Sequence, residues 1–307
     1  MNLESIVEVN GLTKTYGHLR ALDNVSFTLK RGHIYGFIGE NGAGKTTCIR
    51  VLAGLTLPDL GDVRVLDHPY PLEAPAARAK TGFMVEQPIF HDGLTAEDNL
   101  KQQMKLYGHK DYARIPDLLK RVGLTDIGKR KLKDFSLGMK QRLGIAMTLV
   151  NDPELLILDE PVNGLDPVGM VDVRNILRDL NREGITIFLS SHILSELYQL
   201  ATDYIIIHHG RIIRQMTLAE LDLACTKKLN IRTPQADRLI TALKQRFPQA
   251  DIVRENDQIV YVTGSEVTTK DIGQLVLDEN ILLTGLAVEG DNLESFYIKT
   301  IGGGHHA

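Results

Sequence analysis

The stretch HIYGFIGENGAGKTTCIRVL, residues 33–52, decides the fold. Its apolar start, HIYGFI, has the length of a strand, and the residues after Lys45 change to the spacing of a helix. Between them, GENGAGKT at residues 39–46 satisfies the pattern G-x-x-x-x-G-K-[ST]. The positions predicted to share one face of the helix are Cys48, Val51, Leu52 and Leu55, with Gly54 and Pro58 marking its end. This order of strand, glycine-rich loop and helix predicts an α/β fold.

The glycine-rich loop has the chemistry of an anion site. Glycines let such a loop curl until successive backbone amides face one point, where the helix N-terminus adds its partial positive charge. We expect it to hold nucleotide phosphates, with Lys45 reaching the β and γ phosphates and the Thr46 hydroxyl facing magnesium. The residues predicted to contact the nucleotide are Gly39, Asn41, Gly42, Ala43, Gly44, Lys45, Thr46 and Thr47. The alternative is a glycine-rich turn that holds no ligand.

A pair of acids follows a second apolar run, LLILDEP at residues 155–161. Continuous apolar runs of this length are typical of strands buried on both faces of a parallel sheet. Asp159 and Glu160 would then leave the sheet at the edge where the phosphate loop emerges. We expect Asp159 to hold magnesium through its water shell and Glu160 to polarise the attacking water. Taken alone, such a pair is equally consistent with a solvated strand end.

Two further polar residues follow apolar runs. His192 comes after ITIFLSS, where its imidazole would contact the γ phosphate, and Gln87 comes after FMVE, where its amide would coordinate magnesium or water. Either residue alone is also consistent with a surface or capping role.

The composition, 43% hydrophobic and 24% charged over 307 residues, is that of an ordinary globular protein. A formal net charge of -4 provides no basic surface for nucleic acid, so no nucleic-acid partner is expected. Two cysteines are too few for a disulfide framework and fit a reducing cytoplasm. No apolar run reaches the length of a membrane span, so we expect the chain itself not to cross a bilayer.

The pattern of elements changes near residue 220. Before it, strands alternate with helices, with a mostly helical insertion over about residues 90–150, which predicts a first domain over 1–220. After it, the order βαββαβ and one short helix predict a small α+β domain of ferredoxin-like type over 221–307. No ligand motif is visible in this second domain, and small domains of this type are reused for many purposes. Dimer contact, permease docking and metabolite sensing all remain open for it.

The ordered motifs of the first domain resemble the ATP-binding subunits of ABC transporters over about residues 4–217. The matching segments are LTKTYG with the adenine-stacking Tyr16, GENGAGKTT as Walker A, VEQP as the Q-loop, LLILDEP as Walker B, NGLDP as the D-loop with Asp166, and SSH as the switch region. The resemblance implies a P-loop NTPase of ABC type, with a mainly parallel sheet, an N-terminal antiparallel β-subdomain and a helical insertion. It also implies ATP and Mg²⁺ as cofactors, with Asp166 at the nucleotide and with Thr46, Gln87 and Asp159 at the metal.

The segment FSLGMKQRLG, residues 135–144, lies where this family has its signature sequence. In the family, the signature closes over the γ phosphate held by a partner cassette. The resemblance therefore implies that Ser136 donates its hydroxyl and Gly138 its amide across a dimer, aided by the helix dipole. Leu137 and Met139 replace the usual glycine and glutamine, which predicts a weaker or altered shared site. The alternative role of Ser136 is an ordinary helix N-cap.

The resemblance implies two kinds of partner. One is a second cassette, in a homodimer or a heterodimer. The other is a separate transmembrane permease, contacting residues 87–99 and the helices of 95–130. The single cassette, the GMKQRLGIA run and the extra domain are most similar to bacterial exporters of antibiotics, peptides or lipid-like substrates. We therefore expect a cytoplasmic ATPase held on the inner face of the membrane. The alternatives are a soluble ATPase of ABC type and a regulatory module that hydrolyses poorly.

Overall fold

A computed structural model describes residues 5–70, 73–86, 88–225, 227–264, 267–290 and 293–302. The chain separates into two units, Met1–Leu218 and Ala219–Ala307. The strands of the first unit are β1 (Ser5–Tyr16), β2 (Leu19–Lys30), β3 (Ile34–Ile38), β4 (Leu60–Val65), β5 (His68–Tyr70), β6 (Thr81–Met84), β7 (Leu155–Leu158), β8 (Thr186–Ser191), β9 (Asp203–His208) and β10 (Arg211–Thr217). Its helices are α1 (Lys45–Leu52), α2 (Ala74–Ala79), α3 (Ala96–Leu106), α4 (Ile115–Arg121), α5 (Leu137–Thr148), α6 (Pro167–Arg182) and α7 (Leu194–Leu200), and α8 (Leu218–Ala224) follows.

The central sheet of the first unit has six strands in the order β10-β9-β3-β8-β7-β6. Its five strands from β9 to β6 are parallel, and β10 pairs antiparallel with β9 at one edge. Every residue of β3, β7 and β8 is buried, as their continuous apolar runs require. The carboxyl ends of β3, β7 and β8 therefore lie side by side, and the three polar segments that follow them meet at one edge.

A second, antiparallel sheet has the order β2-β1-β4-β5. Strands β1 and β2 form a hairpin in which Tyr16 pairs with Leu19. Three phenylalanine rings connect this sheet to the central one: the Phe27 centroid lies 5.8 Å from that of Phe188 and 6.1 Å from that of Phe37. The two sheets thus share one hydrophobic core, and the antiparallel β-subdomain expected from the resemblance is present.

The helical insertion contains α3, α4, a 3-10 turn at Leu132–Asp134 and α5. Thr95 caps α3 by accepting a hydrogen bond from the Asp98 amide at 3.1 Å. One local prediction is wrong. Leu55 was expected on the buried face of α1, but that helix ends at Leu52 and Leu55 is 65% exposed. The chain leaves the helix at Gly54, whose φ of +69° is incompatible with a further helical turn.

The second unit contains β11 (Lys227–Arg232), α9 (Ala236–Arg246), β12 (Asp251–Arg254), β13 (Ile259–Thr263), α10 (Thr269–Asp278), β14 (Gly285–Gly290) and α11 (Leu293–Gly302). Its sheet has the antiparallel order β12-β13-β11-β14, which is the ferredoxin-like arrangement. Apolar residues of α9 and α10 pack with Leu229, Ile231, Val260 and Val262 in a core of its own. A capping box between Thr268 and Asp271 begins α10.

Among the described residues, no helix combines the length and the apolar character needed to span a bilayer.

Candidate active site

A cleft of about 540 Å³ opens at the carboxyl edge of the central sheet. Its walls come from the β1–β2 hairpin, the glycine-rich loop, and the segments after β7 and β8. The residues that line it are Tyr16, Leu19, Ala21, Glu40, Asn41, Gly42, Gly44, Lys45, Thr46, Thr47, Glu160, Asn163 and His192. Most of the predicted site residues are thus brought together in one place.

The glycines at both ends of the phosphate loop are needed for space. A side chain at Gly39 would meet the Ile207 carbonyl oxygen at 2.6 Å, and one at Gly44 would meet the Ala21 carbonyl oxygen at the same distance. Gly44 also has a φ of +109° and occupies the N-cap of α1. The loop therefore passes close to two neighbouring strands, with the N-terminus of α1 at its end.

Lys45 is buried, with 6% of its surface exposed. Its ammonium group donates to the carbonyl oxygens of Gly39, at 2.7 Å, and Glu40, at 3.3 Å. The same nitrogen lies 3.6 Å from Glu160 Oε1. Neutral carbonyls and one carboxylate thus hold a full positive charge at the loop, where an anionic phosphate would be a stronger partner.

Glu160 has a φ of +51°, which places it in the left-handed region that a side chain of this kind seldom adopts. Its Oε2 atom lies 2.7 Å from His192 Nδ1. Because a carboxylate only accepts hydrogen bonds, the imidazole must carry its proton on Nδ1 in this pair. Left-handed backbone outliers often occur at functional sites, where surrounding contacts hold them in place.

A second cavity, of about 240 Å³, lies beside Glu160 and is lined by Thr46, Glu86, Leu137, Gln141, Asp159, Glu160 and Asn163. The Thr46 hydroxyl and the Asp159 carboxylate are hard oxygen donors of the kind that Mg²⁺ prefers. Asp159 is 4% exposed, and its Oδ1 accepts a hydrogen bond of 2.6 Å from the Ser190 hydroxyl. The residues at this cavity therefore fit a magnesium ion. Gln87, the third predicted metal residue, lies outside the described residues.

The helix that begins at the signature segment is capped by Ser136, whose Oγ accepts from the Met139 amide at 3.2 Å. Ser136 is exposed, so capping its own helix and contacting a partner remain compatible. Leu137 packs on the D-loop, because its Cδ2 lies 3.2 Å from the position of a Cβ on Gly164. A Cβ on Gly138 would lie 3.9 Å from Leu165 Cδ2, which also belongs to the D-loop. The signature end of α5 thus faces the D-loop of the same chain.

Asp166, expected at the nucleotide, is the N-cap of α6 and accepts from the Gly169 amide at 3.1 Å. Asn163, Gln141 and Ser190 line or support the site, although sequence reasoning did not single them out. Asn163 belongs to the same NGLDP segment as Asp166, so that motif was the available signal for it.

Cys48 lies in α1 directly behind the phosphate loop and is fully buried. Burial raises the pKa of its thiol to about 12, because the thiolate would be desolvated. At neutral pH this group remains a protonated, apolar core residue, and it contributes no nucleophile to the site.

Known proteins share extensive sequence similarity with this chain. The ABC transporter family matches residues 22–163. The bacitracin transport ATP-binding protein BcrA of Bacillus licheniformis is 38% identical over 98% of this chain and 99% of its own length. The lantibiotic transport ATP-binding protein SrtF of Streptococcus pyogenes is 42% identical, over 68% of this chain and 89% of its own length.

The solved structures include a similar cassette in dimeric form. It is an ATP-binding cassette in a post-hydrolysis state with ADP and phosphate bound, 26% identical, with a TM-score of 0.62. The match covers 69% of this chain and 98% of that one.

Proposed function

This chain belongs to the ABC transporter family of ATP-binding proteins, and we propose that it is the ATPase motor of an exporter for an antibiotic or antimicrobial peptide. One observation carries the motor role: the phosphate loop, Glu160 after β7 and His192 line one cleft. The exporter role is supported by the similarity to BcrA, which extends over nearly the whole chain and so includes the second unit. A lipid-like substrate is the alternative cargo.

In the proposed reaction, water attacks the γ phosphate of ATP and releases ADP and inorganic phosphate. The loop amides and the N-terminus of α1 hold the phosphates, and Lys45 exchanges its carbonyl partners for phosphate oxygens. Glu160 then accepts a hydrogen bond from the attacking water, while His192 keeps its carboxylate oriented. A Mg²⁺ ion held near Thr46 and Asp159 would neutralise charge on the phosphates. Tyr16, at the mouth of the cleft, stacks on the adenine.

A second cassette completes the site. The exposed Ser136 and the amide of Gly138 meet the γ phosphate bound by the partner, so ATP closes the dimer and hydrolysis opens it. The dimeric form of the solved cassette supports this arrangement. Leu137 and Met139 depart from the usual signature. A heterodimer with a partner that carries the more usual sequence is therefore as consistent with this chain as a homodimer.

A groove of about 290 Å³ supports the proposed contact with a permease. Its lining includes Pro88, Ile89, Tyr107, Gly144 and Met147, from the segment after β6 and the helical insertion. Ile89 is 93% exposed and Tyr107 is 50% exposed, so two large apolar side chains at this groove are open to a partner. A short amphipathic helix of a transmembrane subunit fits such a groove. The chain is then held at the cytoplasmic face of the membrane through that subunit.

The motor role is tested by ATP hydrolysis with and without magnesium, in the chain alone and together with its membrane partner. Glu160→Gln should lower the rate by about a hundredfold or more, since it removes the group that polarises water. Glu183→Gln is the matched control, because the Glu183 carboxylate pairs with Arg121 at the surface, away from the cleft. If the wild-type rate never exceeds that of Glu160→Gln, even with the membrane partner present, the chain is not a motor.

The transporter assignment needs a separate experiment. The chain is purified from native membranes in mild detergent, and the proteins that accompany it are identified. A polytopic membrane protein that is lost when Ile89 is changed to Asp supports the permease role, because a charge in the groove opposes burial. Recovery of the chain with ribosomes, and not with membranes, would instead favour a soluble ATPase acting in translation.

A further inference from the structure

Strands β7 and β8 end side by side in the central sheet. Leu158 pairs with Leu189 at the end of their parallel ladder, so the next residues, Asp159 and Ser190, lie next to each other. Ser190 has no exposed surface, and it also pairs with Phe37 of β3 on its other side. A hydroxyl at such a position has to find its hydrogen-bond partners within the protein.

Among the described residues, the Ser190 hydroxyl makes two hydrogen bonds, one with each of the neighbouring acids. Its hydroxyl donates to Asp159 Oδ1 at 2.6 Å. Its oxygen also accepts from the backbone amide of Glu160 at 2.9 Å. A serine hydroxyl has one proton to donate and lone pairs to accept with, so both bonds can form at once. One buried side chain therefore restrains the Asp159 carboxylate and the Glu160 peptide together.

The bond to the Glu160 amide lies at the point where the backbone turns away from β7. Glu160 has a φ of +51°, and this turn directs its carboxylate to His192 and Lys45. A left-handed backbone at a residue with a side chain persists only when neighbouring contacts fix it. The Ser190 hydroxyl is one such contact, because it satisfies the amide in this conformation.

We propose that Ser190 is a positioning residue for ATP hydrolysis: its hydroxyl fixes the carboxylate of Asp159 for the magnesium site and the backbone of Glu160 for attack by water. The inference rests on the proposed function, and it assigns to Ser190 no contact with nucleotide or metal. Groups that orient a metal ligand from behind commonly change metal affinity and activity when they are removed. The Ser190 hydroxyl acts on both acids at once, because it donates to the Asp159 carboxylate and accepts from the Glu160 amide.

The experiment compares Ser190→Ala, Ser190→Cys and Ser190→Thr with the wild-type chain. Alanine removes both hydrogen bonds, cysteine keeps a similar size with a weak donor, and threonine keeps the hydroxyl. For the first two variants we expect kcat to fall about tenfold or more. Mg²⁺ enhances the binding of a fluorescent ATP analogue, and the Mg²⁺ concentration that gives half of this enhancement should rise about tenfold. The KM for ATP should stay within about threefold, because the loop that binds phosphate is unchanged. Ser190→Thr should restore most of both quantities.

Thr186→Val is the matched control. Thr186 lies at the opposite end of the same strand and is as buried as Ser190. Its hydroxyl accepts a hydrogen bond from the Gly32 amide at 2.9 Å, and the valine variant removes that bond. A melting temperature for each variant shows how far stability alone has changed. If Thr186→Val reproduces the loss in kcat and in Mg²⁺ dependence, the effect is general destabilisation and the proposal is overturned.

The proposal is also overturned if Ser190→Ala and Ser190→Cys keep both quantities within about threefold of wild type, a change too small for a positioning group. The binding measurement needs no turnover. If the wild-type chain proves not to hydrolyse ATP, the motor role fails, while the Mg²⁺ dependence of analogue binding still tests the role of Ser190 at Asp159.

Discussion

Glu160 and His192 are hydrogen-bonded to each other, with 2.7 Å between Glu160 Oε2 and His192 Nδ1. The other carboxylate oxygen lies 3.6 Å from Lys45 Nζ. The Glu160 carboxylate is therefore held by the His192 imidazole at one oxygen and by the Lys45 ammonium group at the other. A phosphate that draws Lys45 away would leave His192 as the contact that orients Glu160. This relationship makes His192 important for turnover and less important for nucleotide binding.

His192→Ala should lower kcat by about tenfold to a hundredfold and leave nucleotide affinity within about threefold of wild type. Turnover under saturating Mg-ATP and titration with a fluorescent ATP analogue measure the two quantities. His68→Ala is the control, because His68 Nδ1 makes a similar contact with Glu73 at 2.9 Å outside the cleft. A loss of affinity in His192→Ala that equals its loss of kcat would contradict this division of roles.

The second prediction concerns Tyr16, which is 44% exposed and lines the mouth of the cleft. Its ring has the Lys14 ammonium 5.5 Å from its centroid on one side. Stacking needs the aromatic face and not the hydroxyl, so Tyr16→Phe should bind ATP within about twofold of wild type. Tyr16→Ala should bind ATP about tenfold more weakly, because it loses the stacking energy of one base on one aromatic ring.

Because every base has a π face, stacking on Tyr16 gives little preference among bases. The ratio of ATP to GTP affinity, measured by competition against a fluorescent analogue, should therefore change little in Tyr16→Ala. Tyr112→Ala, in the helical insertion, controls for loss of a tyrosine elsewhere. Full affinity in Tyr16→Ala would show that the adenine lies away from this ring.

The phosphate loop could be predicted from sequence because its chemistry is local. Gly39, Gly44, Lys45 and Thr46 are at fixed spacing along one segment, and the strand and helix on either side are visible as changes in apolar period. Asp159 and Glu160 required one further step, the rule that parallel strands present their carboxyl ends at a common edge. The registry of β7, β8 and β3 is consistent with that step.

The contacts of Ser190 could not be predicted in the same way. In ITIFLSS it is one polar residue at the end of an apolar run, and its partners at 159 and 160 are about thirty positions away. Their contact depends on which strands are neighbours and on their register, and neither is encoded by local spacing. The end of α1 was missed for a related reason, since Leu55 continues the apolar period although Gly54 has already turned the chain.

The third prediction concerns alkaline stability. Burial raises the pKa of the Cys48 thiol from 9.0 to about 12 in the folded chain. Between those values the unfolded chain loses the thiol proton and the folded chain keeps it, so the unfolded state binds fewer protons and stability falls as pH rises. The fall attributable to Cys48 should reach about 2 kcal/mol at about pH 10.5.

Denaturant titrations of reduced protein at several pH values measure this fall. Cys48→Ala should be less stable than wild type near neutral pH, because it leaves a cavity, and the difference should shrink above pH 9. Cys225→Ala, which retains Cys48, should keep the alkaline loss. If the free energy of unfolding falls with pH in the same way for the wild-type chain and for Cys48→Ala, the thiol ionises equally well in the folded and unfolded states.

The fourth prediction separates the two roles of Ser136, which caps α5 and is proposed to meet a partner's phosphate. Asn and Asp both cap helices well and have nearly the same shape, so Ser136→Asn and Ser136→Asp should melt close to wild type. Ser136→Ala should melt about 2–4 °C lower, since it loses the bond from the Met139 amide.

Only Ser136→Asp places a negative charge where the γ phosphate would approach. In a Glu160→Gln background with ATP, size-exclusion chromatography should show dimer for Ser136→Asn and monomer for Ser136→Asp. For a heterodimer, the same comparison is made with the partner cassette present. Equal dimer in both variants would show that Ser136 is a cap and does not face a nucleotide held by another chain.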